Sequence, residues 1–236
     1  MSDDGEIDVV ACEETPLGLV CLRRRAAAGA PGAFATELTI DHQFLMSSVN
    51  TDSERALAEH ALALHGGDAL GVLVGGLGLG YTAQAVLASP RVARLEVVEL
   101  LAPVIGWLER GMLPLSDALR GDARLRVVQG DVYARLAAPP ASPDELRDLV
   151  LIDVDHSPDE RLGAGHASFY AEAGLVAARR HLAPGGVLGV WSYAESSAFA
   201  DALRRVFAEV HVVPVPFENT VVGGDEVNWL FFAKAR

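Results

Sequence analysis

Several apolar runs in this sequence end in residues that could bind a ligand or carry a proton. The first such run ends in a glycine loop, Gly76-x-Gly78-x-Gly80, and the next ends in Glu99. Glycines let a loop backbone approach a ligand, and a carboxylate about 20 residues further on can accept hydrogen bonds from both ribose hydroxyls. The loop holds no Lys or Arg, which favours a nucleoside without phosphates, such as S-adenosylmethionine. A tight turn with no ligand would give a similar string.

A second candidate is the acidic segment Asp153-x-Asp155-His156, which also ends an apolar run. Alternation along a strand would place Asp153 and Asp155 on one side, where two carboxylates raise each other's pKa. One could then accept a proton from an ammonium group, so both are predicted catalytic residues. The alternative is a capped turn. A metal held by these residues and His166 is disfavoured, because the usual ligand spacing is absent, and we predict none.

Further polar and aromatic residues end the remaining apolar runs. Asp131 would either contact the adenine amino group or cap a helix, and the residues alone leave both open. Trp191 and Tyr193 would wall a pocket, and together with His156 they are the predicted substrate-binding residues. In open α/β sheets, ligands bind beyond the carboxyl ends of the strands, where the strand order reverses. All these side chains are therefore expected around one site.

The elements that position these residues alternate along the chain. Strands are expected near residues 70–75, 94–99, 124–128, 148–153 and 187–192. Helices are expected near residues 80–89, 101–112, 131–137 and 167–182, with a turn at 182–186. This alternation predicts an α/β fold with a doubly wound, mostly parallel, Rossmann-like sheet covered on both faces.

The two ends of the chain follow other patterns. Short strands over residues 7–12, 17–23 and 34–40 predict a small N-terminal β unit that packs on the rest of the chain or on another subunit. A helix from Thr51 or Asp52 to about residue 64 should follow. After a helix near 196–207, strands near 209–215 and 228–234 predict a C-terminal antiparallel hairpin joined by a turn at 223–225, which brings the sheet to seven strands. The predicted domains are residues 1–48 and a cofactor-binding domain over 49–236.

Composition narrows the function classes. The chain has 236 residues, 50% of them hydrophobic, and a net charge of −13, which argues against nucleic acid as a partner, since phosphate contacts require clustered cations. No apolar run is long enough for a membrane span. Cys12 and Cys21 are expected to be reduced packing residues of a cytoplasmic protein. Lys234 is the sole lysine among many arginines, which is typical of a GC-rich bacterial genome. The short N-terminal strands and the apolar last strand offer surfaces for a homodimer.

The order of these signals resembles the class I S-adenosylmethionine-dependent methyltransferase fold, and in particular its spermidine synthase-like branch. The resemblance covers about residues 35–236. It rests on the glycine loop, Glu99, Gly130-Asp131, the acidic segment at Asp153, residues 182–186 and the terminal hairpin, with further likeness in residues 15–18, 38–43 and 228–234. It implies that the three loop glycines and Glu99 bind the cofactor, that Asp131 meets the adenine, and that Asp153 is the base.

The sequence departs from spermidine synthases at three places. Leu79 is nearest to the loop Asp that holds the donor's amine in those enzymes. The first helix carries the segment from Glu54 to His60 where those enzymes have a Tyr-His pair. Their second loop carboxylate falls near His156 unless Asp155 replaces it. These departures favour methyl transfer from S-adenosylmethionine to a small-molecule acceptor, with amines among the candidates. The alternatives are aminopropyl transfer from decarboxylated S-adenosylmethionine to an amine, a non-catalytic protein that binds adenosyl nucleosides, and a nicotinamide-dependent oxidoreductase.

Overall fold

The computed structural model describes residues 7–26, 34–160, 167–218 and 224–235, and these residues form two β-sheets with helices. The strands are β1 Ile7–Thr15, β2 Gly18–Ala26, β3 Phe34–Ile40, β4 Gln43–Ser47, β5 Leu70–Gly75, β6 Val92–Glu99, β7 Leu125–Gln129, β8 Arg147–Ile152, β9 Leu182–Ser192, β10 Glu209–Glu218 and β11 Asp225–Lys234. The helices are α1 Asp52–Leu64, α2 Tyr81–Ala88, α3 Ala102–Glu109, α4 Ser116–Arg120, α5 Val132–Ala137, α6 Ala167–Tyr170, α7 Glu172–Arg179 and α8 Ser197–Val206.

The larger sheet has seven strands in the order β10-β11-β9-β8-β5-β6-β7. Strands β5 to β9 are parallel to one another, and the C-terminal pair β10 and β11 adds antiparallel strands at the β9 edge. The chain moves outward from β5 through β6 to β7 and then crosses to β8 on the other side of β5. The reversal of strand order therefore lies between β5 and β8, as the fold prediction requires, and the predicted doubly wound fold is confirmed.

The central strands are apolar on both faces because helices cover both. Along β8, Leu149 and Leu151 belong to the core cluster that includes α1 and α2, whereas Val150 and Ile152 belong to the cluster that includes α5, α7 and α8. All four side chains are almost fully buried. Two layers of helices thus hold the carboxyl ends of the parallel strands at one edge, where the candidate site lies.

The smaller sheet is antiparallel, in the order β1-β2-β3-β4. Its buried side chains, such as Leu22 and Leu38, join the same core cluster as α1 and α2. The predicted N-terminal unit therefore packs on the larger sheet, and β4 is a strand that the sequence patterns missed. We retain the boundary near residue 48 as a proposal, since both sheets contribute to one core.

The expectation of reduced cysteines is wrong in this structure. Cys12 and Cys21 face each other in the β1–β2 ladder, their Cα atoms are 4.2 Å apart, and their sulfur atoms form a disulfide. Directly opposed residues in an antiparallel pair bring their Cβ atoms within bonding reach of two sulfurs. The sequence predicted the strands without their register, so it missed the bond.

Two other local predictions need correction. Residues 182–186 do not form a separate turn, because β9 begins at Leu182 and pairs with Arg147. The strand is irregular there: Gly185 has φ +74°, and the register shifts before Val187 pairs with Leu149. The expected helix at 167–182 is two shorter helices, and α4 was not predicted. Of the predicted turn at residues 223–225, Gly223 lies outside the described residues.

The helices that the structure describes include none with the length and apolar character that a bilayer crossing requires.

Candidate functional site

A cavity of about 710 Å³ opens at the reversal of strand order, between the carboxyl ends of β5 and β8. Of the predicted site residues, all but Gly80 lie among the described residues that line it, namely Gly76, Gly78, Glu99, Asp131, Asp153, Asp155, His156, Trp191 and Tyr193. The cavity volume falls within the usual range of small-molecule sites, about 300–1,000 Å³. The strand ends thus bring the predicted residues together.

The glycine loop follows β5 and has left-handed backbone at each of its three glycines, with φ +91° at Gly76, +51° at Gly78 and +94° at Gly80. A Cβ at Gly76 would meet the backbone oxygen of Asp153, and one at Gly80 would meet Leu119. Gly76 and Gly78 line the cavity, whereas Gly80 precedes α2 as its N-cap. The left-handed backbone therefore requires glycine at all three positions. Gly76 and Gly78 can also contact a ligand, whereas Gly80 lies outside the described cavity lining and serves the loop conformation.

Leu79 occupies the loop position nearest to the family's donor-binding Asp, and its side chain is fully buried in the core. Its backbone N–H contacts the Met46 sulfur at 3.2 Å, so β4 closes over the loop. This position therefore contributes hydrocarbon to the core and no polar side chain to the cavity.

Glu99 ends β6 and is 7% exposed. Its Oε2 accepts a hydrogen bond from the Leu77 N–H at 2.7 Å, and its Oε1 accepts one from the Leu101 N–H at 2.8 Å. Burial raises the pKa of Glu99, and the N–H groups of Leu101 and Leu77 oppose the rise. Each carboxylate oxygen has a second lone pair, so this side chain can hold the glycine loop and still accept ligand hydroxyls.

Asp131 is the N-cap of α5. Its Oδ1 accepts hydrogen bonds from the Tyr133 N–H at 2.8 Å and the Ala134 N–H at 3.2 Å, and the residue also lines the cavity. The structure thus has the capping interaction that the sequence left open. The adenine contact stays a prediction, since capping uses one of the two carboxylate oxygens.

Asp153 follows β8 at the centre of the site. Thr82 of α2 donates a hydrogen bond of 2.6 Å to its Oδ2. The residue is partly accessible through the cavity, yet burial raises its pKa to about 6, while the Thr82 hydrogen bond opposes the rise. A carboxyl with a pKa near the working pH is suited to accept and release a proton.

The carboxyl group that interacts with Asp153 is Glu54, on the first turn of α1. Glu54 is 7% exposed, lines the cavity, and accepts a hydrogen bond from the Ser53 hydroxyl at 2.9 Å. Burial and the negative charge of Asp153 raise the pKa of Glu54 to about 7. The sequence reasoning missed Glu54. Its spacing carried a signal, because Glu54 shares the buried helix face with Ala58 and Ala61, where an acidic residue is unusual.

Asp153 and Asp155 both line the cavity, but burial raises the pKa of Asp153, without a contribution from the charge of Asp155. β8 ends at Ile152, so strand alternation does not extend to these residues. Asp155 is 2% exposed, and its Oδ2 accepts hydrogen bonds from the Tyr133 hydroxyl at 2.9 Å and the Tyr170 hydroxyl at 3.0 Å. Asp155 therefore anchors the loop after β8 to α5 and α6, and a direct role with substrate stays a prediction.

The predicted substrate-binding residues lie on two segments. The Tyr193 N–H donates to the His156 carbonyl at 2.9 Å, which joins the end of β9 to the loop after β8. Tyr193 is 43% exposed at the cavity, and Trp191 is partly buried, with its Nε1 donating to Ser53 at 2.9 Å. Both aromatic side chains line the cavity as predicted.

The N-terminal sheet forms another part of the cavity wall. Glu37 of β3 is 3% exposed and accepts hydrogen bonds from the Arg23 Nε at 2.8 Å and the Arg25 Nε at 3.0 Å. These two arginines are the only Lys or Arg side chains among the described lining residues. The same lining includes seven carboxylates, at Glu37, Glu54, Glu99, Asp131, Asp153, Asp155 and Glu226. The cavity is therefore acidic and suited to a cationic ligand.

Within the described part of the chain, no group of three or more His, Cys, Asp or Glu side chains is arranged to hold a metal ion. His166, considered as a ligand from the sequence, lies outside the described residues.

No protein-family model matches the chain. The polyamine aminopropyltransferase 2 of Streptomyces coelicolor (strain ATCC BAA-471 / A3(2) / M145) is 37% identical over 128 residues. That segment is 53% of this chain and 22% of the relative, so the similarity spans only a minor part of the relative's length.

Solved structures extend the likeness over nearly the whole chain. A spermidine synthase in complex with the transition state analogue AdoDATO has a TM-score of 0.76 at 19% identity, over 97% of this chain and 74% of that one. The spermidine synthase from Thermotoga maritima has a TM-score of 0.73 at 16% identity, over 97% and 73%. The chain therefore shares the fold of these two spermidine synthases, which is a Rossmann-like fold of the methyltransferase type.

Proposed function

We propose that this protein transfers an aminopropyl group from decarboxylated S-adenosylmethionine to a small-molecule amine. The observation that carries the proposal is one acidic cavity with Glu99 beside the glycine loop and Asp153 beside a second buried carboxyl. The name of the Streptomyces relative and those of the two spermidine synthases also favour aminopropyl transfer over the methyl transfer that the sequence favoured.

The residues present fit an adenosyl donor. Glu99 lines the cavity beside Gly76 and Gly78, so its carboxylate is placed to accept hydrogen bonds from the two ribose hydroxyls. The Asp131 Oδ1 caps α5, so its Oδ2 is placed to accept a hydrogen bond from the adenine amino group. When bound, the donor supplies a sulfonium leaving group, which makes the neighbouring carbon electrophilic.

The charges of the cavity favour a donor that lacks a carboxylate. S-adenosylmethionine would bring its carboxylate into a lining rich in carboxylates, and the two lining arginines are already engaged by Glu37. Placing like charges together in a low-dielectric site is costly. Decarboxylated S-adenosylmethionine carries only positive charges, which the same lining stabilises.

Asp153 is the proposed base. It accepts one proton from the bound ammonium of the acceptor, which exposes the nitrogen lone pair. The lone pair then forms the nitrogen–carbon bond as the carbon–sulfur bond breaks, and the electrons of the broken bond stay on sulfur, which becomes a neutral thioether. The protein supplies alignment of the two reactants and a proton acceptor of suitable pKa.

Calorimetric titration with the two donors tests the proposal. We expect the decarboxylated donor to bind at least tenfold more tightly than S-adenosylmethionine. Incubation with linear diamines should then release methylthioadenosine and yield a secondary amine detectable by mass spectrometry. Preference for S-adenosylmethionine with a methylated product would contradict the proposal, and so would tight nucleoside binding with no turnover of any amine.

A further inference from the structure

The first turn of α1 holds Glu54 in the cavity through a hydrogen-bonded serine. Ser53 is 3% exposed, and its hydroxyl accepts from the Trp191 Nε1 and from the Asn228 Nδ2, both at 2.9 Å. The same hydroxyl donates to the Glu54 Oε2 at 2.9 Å. A hydroxyl has one donor and two acceptor positions, so every position on Ser53 is used. Strands β9 and β11 thus determine, through Ser53, where the Glu54 carboxyl lies.

Glu54 and Asp153 both line the cavity, both residues contact the hydroxyl of Thr82, and the charge of Asp153 acts on the Glu54 carboxyl. Thr82 donates to the Asp153 Oδ2 at 2.6 Å and contacts the Glu54 backbone oxygen at 3.4 Å. Among the residues that the structure describes, no Lys, Arg or His forms an ion pair with either carboxyl. Two neighbouring carboxylates without a cation are costly when buried, and a bound cation would offset that cost.

We propose that Glu54 and Asp153 together form a subsite for one primary ammonium group of the acceptor, with Ser53 as the residue that positions Glu54. This inference rests on the proposed function. A primary ammonium has three N–H donors on a compact charge, enough to bind both carboxyls at once. After Asp153 takes one of its protons, Glu54 continues to hold the nitrogen through another. Tertiary and quaternary amines lack the second donor and do not fit.

Proton release on binding is the distinguishing signature of this subsite. Near pH 6.5 the pair carries bound protons, because the pKa of Glu54 is raised to about 7 and that of Asp153 to about 6. A bound ammonium favours the ionised carboxyls, so it expels a proton. Above about pH 8 both groups are already ionised, and binding should release none.

Calorimetry in two buffers of different ionisation enthalpy measures this release. The probes are 1,4-diaminobutane, butylamine and 1-butanol, titrated into the full chain at pH 6.5 and pH 8. We expect both amines to bind with proton release at pH 6.5 only, and 1-butanol not to bind. E54Q should weaken amine binding at least tenfold and remove most of the proton release. The matched control E59Q makes the same change at an exposed residue of α1 and should alter affinity less than twofold.

Ser53 is tested by kinetics, because its role is indirect. S53A removes the hydroxyl that lowers the pKa of Glu54, so KM for the amine should rise several-fold with little change in kcat. The midpoint of the KM against pH profile should also move to higher pH, which a merely structural defect would not cause.

The outcomes separate the subsite from the proposed function. If the wild type turns over amines and E54Q has the same KM and the same proton release, the subsite is wrong and the function stands. If the wild type neither binds nor turns over any amine with either donor, both are wrong.

Discussion

Two buried carboxyl clusters line the same cavity, and they differ in what balances their charge. Glu37 in the N-terminal sheet has two arginine partners, Arg23 and Arg25, within hydrogen-bonding distance. Glu54 on α1 accepts a hydrogen bond from the Ser53 hydroxyl, and Asp153 after β8 accepts one from the Thr82 hydroxyl, and among the described residues neither carboxyl has a Lys, Arg or His partner in an ion pair. The pKa values of Glu54 and Asp153 are raised by burial, to about 7 and about 6.

This difference indicates separate roles for the two clusters. A buried carboxylate with its own cations is electrostatically complete and serves to join strands β2 and β3. A buried carboxyl pair with only neutral donors lowers the stability of the ionised protein, which is typical of a site whose missing charge arrives with the ligand. The comparison predicts that removing a carboxylate charge lowers the free energy of unfolding in the Glu37 cluster and raises it in the Glu54 and Asp153 cluster.

The largest expected effect is on turnover, from D153N. Asparagine keeps the size of the side chain and removes the proton acceptor, so kcat should fall about 100-fold, or ~2.7 kcal/mol in activation free energy. Donor affinity should stay within about twofold by calorimetry, because Glu99 and the glycine loop are unchanged. The control is D201N, at an exposed Asp on α8 that pairs with Arg204. Unchanged turnover in D153N would remove Asp153 from the mechanism.

The next effect is on stability, from E37Q. Removing one partner of a buried ion pair leaves the other charge uncompensated. Arg23 and Arg25 remain 27% and 23% exposed, so solvent reduces the loss, and we expect destabilisation of about 2 to 3 kcal/mol by urea unfolding at pH 8. If E37Q is as stable as the wild type or more stable, the arginines do not balance the charge of Glu37, and the contrast with Glu54 and Asp153 is wrong.

E54Q should have the opposite effect on stability. The folded-state pKa of Glu54, about 7, lies above its ordinary 4.5, so the cost of ionisation is absent below about pH 4.5 and complete above about pH 7. Glutamine carries no charge. E54Q should therefore be more stable than the wild type by about 2 kcal/mol at pH 8, and the difference should shrink as the pH falls towards 4.5. The measurement is urea unfolding at pH 8 and pH 5, and destabilisation at pH 8 would contradict the proposed unbalanced pair.

Most of the fold follows from patterns local in sequence. The alternation of apolar runs and helical periods predicted β5 to β9 and the C-terminal hairpin, because a strand buried on both faces needs an unbroken apolar run. Properties that depend on register were missed. The Cys12–Cys21 disulfide follows once Thr15 pairs with Gly18, since each cysteine lies three residues away from the turn along its strand.

The site was predictable where it lies at strand ends and unpredictable where it depends on packing between elements. Glu99 and Asp153 directly end or follow strands that carry a plain signal, so their meeting at one edge could be derived. Glu54 reaches the site from a helix, and only the three-dimensional placement of α1 shows that it faces Asp153. The alternation argument for Asp153 and Asp155 does not apply, because β8 ends at Ile152, one residue earlier than the apolar pattern suggested.

The smallest expected effect comes from changes at Asp131, which caps α5 and is predicted to bind the adenine amino group. Serine is a good N-cap but too short to reach as far into the cavity. D131S should therefore change unfolding free energy by less than about 0.5 kcal/mol and weaken donor binding several-fold, whereas D131A should also lose about 1 kcal/mol of stability. Calorimetry and urea unfolding of the two variants separate the roles. If D131S binds the donor as tightly as the wild type, Asp131 is a helix cap alone, and the adenine end of the cavity depends on other residues.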